Sequence, residues 1–122
     1  MKREIKFRAW HKTYDLLCDV VEIVFGDDDN YVAVENGEYI ERWRFDDIEL
    51  MQYTGLKDVN GVEIYEGDVV RFDTNVQILE SEVTYYHGMF TIKKYGEKIP
   101  LFTALKVIGN KFENPELLEV AE

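Results

Sequence analysis

The chain has 122 residues, which is about the size of one ordinary domain. Hydrophobic residues make up 46% and aromatic residues 14%, enough for a packed core, and this excludes a largely disordered chain. The 25 acidic residues outnumber the 14 basic ones, and the formal charge of −11 argues against a protein that coats nucleic acid through its phosphates.

The first predicted strand lies near the start of the chain, where residues alternate in character with a period of two. The alternating sets are Ile5, Phe7 and Ala9 on one side and Lys6, Arg8 and Trp10 on the other. This pattern predicts a half-buried strand with a basic outer face.

The next elements form a predicted hairpin. The Val and Ile content of Leu16 to Phe25 predicts a largely buried strand, and the turn at 26–30 leads into an extended stretch at 31–34. After a turn at Asn36-Gly37, residues Tyr39 to Phe45 are interpreted as a strand or an irregular connection that carries Trp43.

Asn60-Gly61 marks a second hairpin because both residue types tolerate positive φ. A three-residue loop ending in Gly61 pairs Asp58 with Val62 and Leu56 with Ile64, whereas a two-residue loop would place two like charges opposite each other. We therefore predict the longer loop. The turn Glu66-Gly67-Asp68 then leads into a core strand at 69–72.

His87-Gly88 predicts a third hairpin with a two-residue turn, in which Tyr85 faces Phe90 and Val83 faces Ile92 as an apolar stripe. The opposite face is polar enough for solvent and aromatic enough to join an interface, and it consists of Thr84, Tyr86, Met89 and Thr91.

The last part of the chain predicts a loop at 95–100, a strand from Ala104 to Ile108 and a short helix from Asn114 to Leu118. The helix has Asn at its N-cap, Pro at its first position and Glu in its first turn.

Turn signals every eight to twelve residues predict a mainly β protein, namely a small SH3-like barrel with additional β-hairpins and a short C-terminal helix; the alternative is an α+β fold. The SH3-like element rests on the Gly-Asp turn that enters the strand at 69–72, which resembles a turn of such barrels. We expect a single domain over residues 1–122, with room for a small packed sub-module around residues 1–48.

The inventory of reactive residues favours binding over catalysis, and we predict no catalytic residue, metal site or cofactor. The single cysteine, Cys18, cannot form an internal disulfide, and burial would make it inert, although His11 could approach it. The only serine, Ser81, lies between two glutamates that oppose its ionisation. A carboxylate- or metal-dependent hydrolase stays an alternative only because acids such as Asp46 and Asp47 are plentiful.

Aromatic residues beside basic ones are the candidate binding residues. They are Lys6, Arg8, Trp10, Arg42, Trp43, Arg44 and Tyr86. The basic N-terminal strand could contact nucleic acid, but a Lys- and Arg-protected edge strand is the favoured interpretation. Trp43 is either an exposed anchor or a core residue whose flanking arginines reach solvent, and the core interpretation is the commoner one.

We predict a non-catalytic protein-interaction or self-assembling module, with a protein or a second copy of the chain as partner. The alternative is a nucleic-acid-associated protein, through contact by the basic strand or through acidic mimicry of DNA. No apolar run approaches the ~20 residues that span a bilayer and no signal peptide is evident, so we expect a cytoplasmic protein without a membrane partner.

Three blocks of the sequence resemble the YopX family of phage and prophage proteins. They are residues 3–10 (REIKFRAW), residues 50–70 (LMQYTGLKDVNGVEIYEGDVV) and residues 107–118 (VIGNKFENPELL). The resemblance implies a small β-rich protein, encoded on a bacterial phage or prophage, that acts inside the bacterial host. It implies no catalytic residue, because no activity is established for the family.

Overall fold

The computed structural model describes residues 3–119, and within them the chain divides into two compact units, one ending at Gln52 and the other beginning at Tyr53. Strands dominate both units, and the prediction of a mainly β protein is confirmed.

The first unit is one antiparallel sheet in the order β4-β3-β2-β1-β5, to which β5 contributes its residues up to Gln52. The strands are β1 (Phe7–His11), β2 (Leu16–Phe25), β3 (Asn30–Asn36), β4 (Tyr39–Arg44) and β5 (Ile48–Lys57), with a single 3₁₀ turn, Phe45–Asp47, before β5. The core of this unit is formed by Ala9, Cys18, Val32, Val34, Trp43 and Ile48. The predicted hairpin between the second and third strands is confirmed, with Phe25 opposite Asn30.

The second unit holds the remaining elements. They are β6 (Glu63–Tyr65), β7 (Asp68–Asp73), β8 (Ile78–Glu82), β9 (Thr84–Tyr86), β10 (Met89–Lys94), β11 (Glu97–Pro100), β12 (Lys106–Asn110) and α1 (Glu116–Glu119). The end of β5 pairs with β6, and two antiparallel sheets have the orders β11-β10-β9 and β12-β7-β8. Their core is formed by Ile64, Val70, Phe72, Val83, Ile92 and Leu105.

The strand orders are linear, and residues 3–119 contain no closed barrel. The predicted hairpins and the short C-terminal helix are present, so the SH3-like barrel is the one part of the fold prediction that is not confirmed.

The first strand differs from its prediction. β1 lies between β2 and β5, so it is an interior strand, and the interpretation of it as a protected edge strand is wrong. Trp10 is buried, so the outer face predicted for Lys6, Arg8 and Trp10 does not reach the end of this strand.

The second strand has the predicted bounds but not the predicted burial. Only Cys18 is buried, while Val21 and Phe25 are 51% and 76% exposed. The physical reason is that one face of the strand packs on the core and the other meets solvent, with a β-bulge at Val21 between Val20 and Glu22.

The loop at Asn60-Gly61 has the predicted length, because the Asp58 N–H donates to the carbonyl of Val62 at 2.8 Å. Lys57 lies opposite Glu63, which is the register that the prediction requires, but the register shifts between Tyr53 and Lys57, so the pairing of Leu56 with Ile64 stays a prediction. Both Leu56 and Ile64 nevertheless belong to the same hydrophobic cluster.

Residues 95–100 were predicted as a loop but form a hairpin with strand β10. Tyr95 and Gly96 have φ of 51° and 83°, which makes a tight turn that returns the chain as β11. β11 is an edge strand of its sheet. Pro100 is tolerated there, because a residue of an edge strand does not need an N–H to donate to a second neighbouring strand.

The last strand is displaced by two residues from its prediction, to Lys106–Asn110, and the helix follows it. Asn114 does not cap this helix with its side chain, since its Oδ1 accepts the N–H of Asn110 at 3.2 Å. The Asn114 side chain therefore stabilises the turn between β12 and the helix, and not the first turn of the helix.

Candidate binding surface

The two tryptophans among the predicted binding residues are buried. Trp10 is 9% exposed and Trp43 is 3% exposed. The indole N–H of Trp43 donates to Oε2 of Glu41 at 3.1 Å, and the Asn36 amide donates to the same oxygen at 3.2 Å. Because this partner satisfies the indole N–H, the ring can pack in the core without an unpaired donor.

The arginines beside Trp43 point to solvent, as the core interpretation of that tryptophan requires. Arg42 lies over the ring of Tyr31, with 5.2 Å from its guanidinium carbon to the ring centroid. Arg44 pairs with Asp29 at 2.7 Å. Both cations are therefore engaged by residues of the first unit.

The remaining basic candidates lie at the start of β1. Lys6 precedes the strand and pairs with Glu4 at 2.9 Å, while Arg8 is half-buried within it. Six of the seven candidates thus belong to the first unit, where the two aromatic ones are not available to a partner.

Tyr86 is the candidate that is both aromatic and exposed, with 44% of its surface accessible. It lies on β9 directly opposite Met89 of β10, which is 46% exposed. Residues opposite each other share a face of the sheet, so these two side chains form one exposed pair.

Lys98 extends this surface from the other side of the middle strand. Its Nζ lies 4.4 Å from the centroid of the Tyr86 ring, in a cation–π contact. Lys98 is opposite Lys93, which lies on the same face of β10 as Met89 and Thr91. The contact therefore crosses the middle strand on the side of Thr91, which is only 2% exposed.

We call this surface the Tyr86 face. It comprises Thr84, Tyr86, Met89, Thr91, Lys93 and Lys98. In the centre of the Tyr86 face, the hydroxyl groups of Thr84 and Thr91 are hydrogen-bonded to each other at 3.1 Å. The expectation that the threonines of this face meet solvent is wrong for Thr91, which is buried and whose hydroxyl group is hydrogen-bonded to Thr84.

The charge of this segment differs from that of the chain. Residues 84–100 contain three lysines and one glutamate, a net charge of +2 in a chain of −11. The glutamate, Glu97, lies opposite Lys94 on the other face of the sheet. The Tyr86 face therefore has the Lys98 ammonium group over the Tyr86 ring and the exposed Lys93 at the other end of the face.

Sequence reasoning found Tyr86, Met89 and the threonines but missed the two lysines. Lys98 fell within the predicted loop, because Tyr95 adopts a positive φ that a tyrosine rarely takes. The usable signal was Ile92 and Ile99, which flank the Tyr95-Gly96 turn symmetrically and pair across it.

The side chains considered for nucleophilic chemistry have structural partners. Cys18 is opposite Ala9, whereas His11 is opposite Leu16 and accepts the N–H groups of Thr13 and Tyr14 on Nδ1, at 3.2 and 3.1 Å. Burial, together with Glu41 and Asp19, raises the pKa of the Cys18 thiol. The predicted inertness of this cysteine agrees with that direction.

The hydroxyl of Ser81 is also held by structural contacts. It donates to the carbonyl of Glu82 at 3.0 Å and accepts the N–H of Lys93 at 2.9 Å. It therefore ties strand β8 to strand β10.

A shallow cleft of about 230 Å³ in the second unit is lined by residues of β7 and β8 and by the segment that leads into β12, among them Arg71, Phe72, Leu105 and Lys106. Its volume lies below the ~300 Å³ at which pockets for small molecules begin. Over residues 3–119 there is no group of three or more His, Cys, Asp or Glu side chains placed to hold a metal ion.

The helix within residues 3–119 is too short to cross a membrane. The described chain is thus a mainly β protein of two units, and the exposed Tyr86, Met89, Lys93 and Lys98 share one face of a small sheet in the second unit.

Comparison with known proteins identifies the family. The model of the YopX protein family matches residues 6–119, and the chain belongs to this family.

Two solved structures share the fold. The crystal structure of protein EF1440 from Enterococcus faecalis is 27% identical, with a TM-score of 0.69 over 96% of this chain and 99% of that one. The crystal structure of protein yopX from Bacillus subtilis is 17% identical, with a TM-score of 0.65 over 92% of this chain and 96% of that one. No curated protein matches the sequence.

Proposed function

We propose that this YopX-family chain is a non-catalytic protein-interaction module that acts in the cytoplasm of a bacterium carrying the phage or prophage that encodes it. The Tyr86 face is the proposed contact surface. The observation that carries this proposal is the exposure of Tyr86 and Met89 as a pair on a sheet, while both tryptophans of the chain are buried.

The residue types of this face suit an interface. Tyrosine and methionine are enriched in protein interfaces, and the margins of interfaces are polar and solvent-accessible. Tyr86 is held in place by Lys98 on its ring and by the neighbouring His87, whose ring centroid is 4.0 Å away. A side chain that is already ordered loses less conformational freedom when a partner covers it.

The proposed partner is another protein, and a second copy of this chain is the alternative. The two are separated by measuring the mass of the purified protein in solution by light scattering. A monomer that still captures a protein from a bacterial lysate favours a different partner, whereas an oligomer that Tyr86→Ser dissociates favours self-assembly.

The test of the proposal is capture from a bacterial lysate with the tagged chain, in the presence and absence of nuclease. We expect a discrete protein that survives nuclease and is retained about tenfold less by Tyr86→Ser, as for a substituted interface hot spot. Tyr39→Ser is the matched control, because Tyr39 is 74% exposed on β4 of the first unit.

Two results would overturn the proposal. Equal retention of every protein by the wild type, Tyr86→Ser and Tyr39→Ser would remove the Tyr86 face as the contact surface. Material that is captured only without nuclease would favour the nucleic-acid alternative. Circular dichroism of each variant establishes that the fold is retained.

A further inference from the structure

The lysine end of the Tyr86 face places two like charges directly opposite each other. Lys93 and Lys98 are register partners in neighbouring strands, an arrangement that is normally unfavourable in a sheet. Both side chains are exposed, and neither forms an ion pair within residues 3–119. On the other face of the sheet a carboxylate lies opposite a lysine, since Glu97 is the register partner of Lys94.

The carboxylates of the adjacent strand β8 are engaged elsewhere. Glu80 accepts two hydrogen bonds from Arg71, at 2.9 and 2.6 Å, and Glu82 pairs with Lys111 at 3.4 Å. The positive charge of the Tyr86 face is therefore left for a group outside this part of the chain.

We propose that the lysine end of the Tyr86 face binds carboxylate groups of an acidic partner segment that carries an apolar side chain for the Tyr86 end. This inference rests on the proposed function and names the chemistry of the protein partner. The favourable elements are charge complementarity at Lys93 and Lys98 and apolar contact at Tyr86 and Met89.

The length of the partner segment follows from the strand geometry. Met89 and Lys93 are four residues apart on one face of β10, which corresponds to about 14 Å at ~3.4 Å per residue. An extended segment with an apolar residue and an acidic residue four positions apart has the same spacing. The Tyr86 face therefore selects a segment by the spacing of its apolar and acidic residues as well as by its charge.

The charge of the chain favours an acidic protein segment over nucleic acid. A chain of −11 repels a polyanion along its whole length, whereas a short segment places few charges outside the two lysines. At physiological ionic strength the screening length is about 8 Å, so the two lysines dominate the field at the face.

The test is an NMR titration of the ¹⁵N-labelled full chain with three probes at up to millimolar concentration. The first probe is the peptide Leu-Ser-Thr-Ser-Asp repeated twice, the second has Asn in place of Asp, and the third is a twelve-nucleotide oligothymidylate. We expect the acidic peptide to shift the amide signals of Tyr86, Met89, Lys93 and Lys98, and the neutral peptide to bind at least threefold more weakly.

Matched variants assign the effect to one face. Lys93→Gln combined with Lys98→Gln is expected to weaken binding of the acidic peptide about threefold to tenfold, the range for two exposed ion pairs. Lys94→Gln removes one positive charge from the opposite face and is expected to change the affinity by less than a factor of about two.

The inference is overturned if the acidic and neutral peptides bind equally, if neither shifts these signals, or if Lys94→Gln weakens binding as much as the double variant. Shifts caused at these residues by the oligothymidylate alone would overturn it in favour of nucleic acid. A captured protein that depends on Tyr86 but not on the two lysines would leave the proposed function standing and remove only the acidic partner.

Discussion

The two units contain similar combinations of aromatic and basic residues with opposite exposure. In the first unit, Trp43 stands between two arginines and is 3% exposed, whereas in the second unit Tyr86 contacts Lys98 and is 44% exposed. Glu41 satisfies the polar atom of Trp43 within the sheet, so the ring can be buried. The burial of an aromatic ring is therefore decided by an internal hydrogen-bond partner and a core-facing strand position, and not by basic neighbours.

The units also hold their turns with different buried acceptors. In the first unit, Nδ1 of His11 accepts two backbone N–H groups of the turn after β1. In the second unit, the Asp58 carboxylate accepts the N–H groups of Asn60, Val62 and Val107, at 2.8, 2.9 and 2.9 Å. A charged acceptor gives stronger hydrogen bonds than a neutral one. We therefore expect the free energy of unfolding to fall more when the acceptor of the second unit is removed than when that of the first unit is removed.

The largest expected effect is on the free energy of unfolding, when each of the two aromatic residues is replaced in turn. Trp43→Ala removes a core side chain and is expected to lower the free energy of unfolding by about 3–5 kcal/mol. Tyr86→Ala removes a side chain that is half exposed and is expected to cost less than about 1 kcal/mol. Urea denaturation measures both, and similar losses for the two variants would contradict the comparison.

A smaller loss is expected at Asp58. Burial alone would raise the pKa of this carboxyl, but hydrogen bonds from Val107, Val62 and Asn60 and the nearby Lys106 outweigh it, so the pKa lies below its ordinary value. Asp58→Asn is expected to lower the free energy of unfolding by about 2 kcal/mol at neutral pH.

The pH dependence of that loss follows from the direction of the pKa shift. A carboxylate whose pKa is lowered by folding stabilises the protein above its unfolded pKa, near 4, and this stabilisation disappears as the pH falls through the folded value. The difference between the wild type and Asp58→Asn should therefore shrink below about pH 4. Asp73→Asn is the control, because Asp73 is exposed and, among the residues that the structure describes, accepts only the Asn75 N–H. A pH-independent difference at Asp58 would contradict this explanation.

The smallest of the three effects is expected at His11. His11→Ala leaves the Thr13 and Tyr14 N–H groups without their acceptor and removes the ring that stacks on Tyr14 with centroids 3.9 Å apart. We expect a loss of about 1–2 kcal/mol in the free energy of unfolding. His11→Asn supplies a side-chain oxygen suited to such turns and should lose less; a larger loss for Asn than for Ala would show that Nδ1 does not hold the turn.

Local patterns predicted the elements better than their surroundings. The bounds of Leu16–Phe25 and the turns at Gly61 and Gly88 follow from alternation and turn chemistry, which are properties of neighbouring residues. The interior position of β1 could not be predicted in this way, because it depends on pairing with Ile48–Gln52, about forty residues away.

The candidate surface was predicted in part for the same reason. Tyr86 and Met89 flank a recognisable turn, and their common face follows from a two-residue loop. Lys98 reaches them only because Tyr95 adopts a positive φ and the chain returns along β10 as an edge strand. The burial of Trp43 likewise depends on β4 pairing with β3, which places Trp43 opposite Val32.

The most direct test of the proposed interaction module is photocrosslinking in living bacteria. The photoreactive residue p-benzoylphenylalanine replaces either Tyr86 or Tyr39, which are both exposed tyrosines on strands of different units. The account predicts a discrete protein adduct from position 86 and none from position 39. An adduct from position 39 with none from position 86 would contradict it.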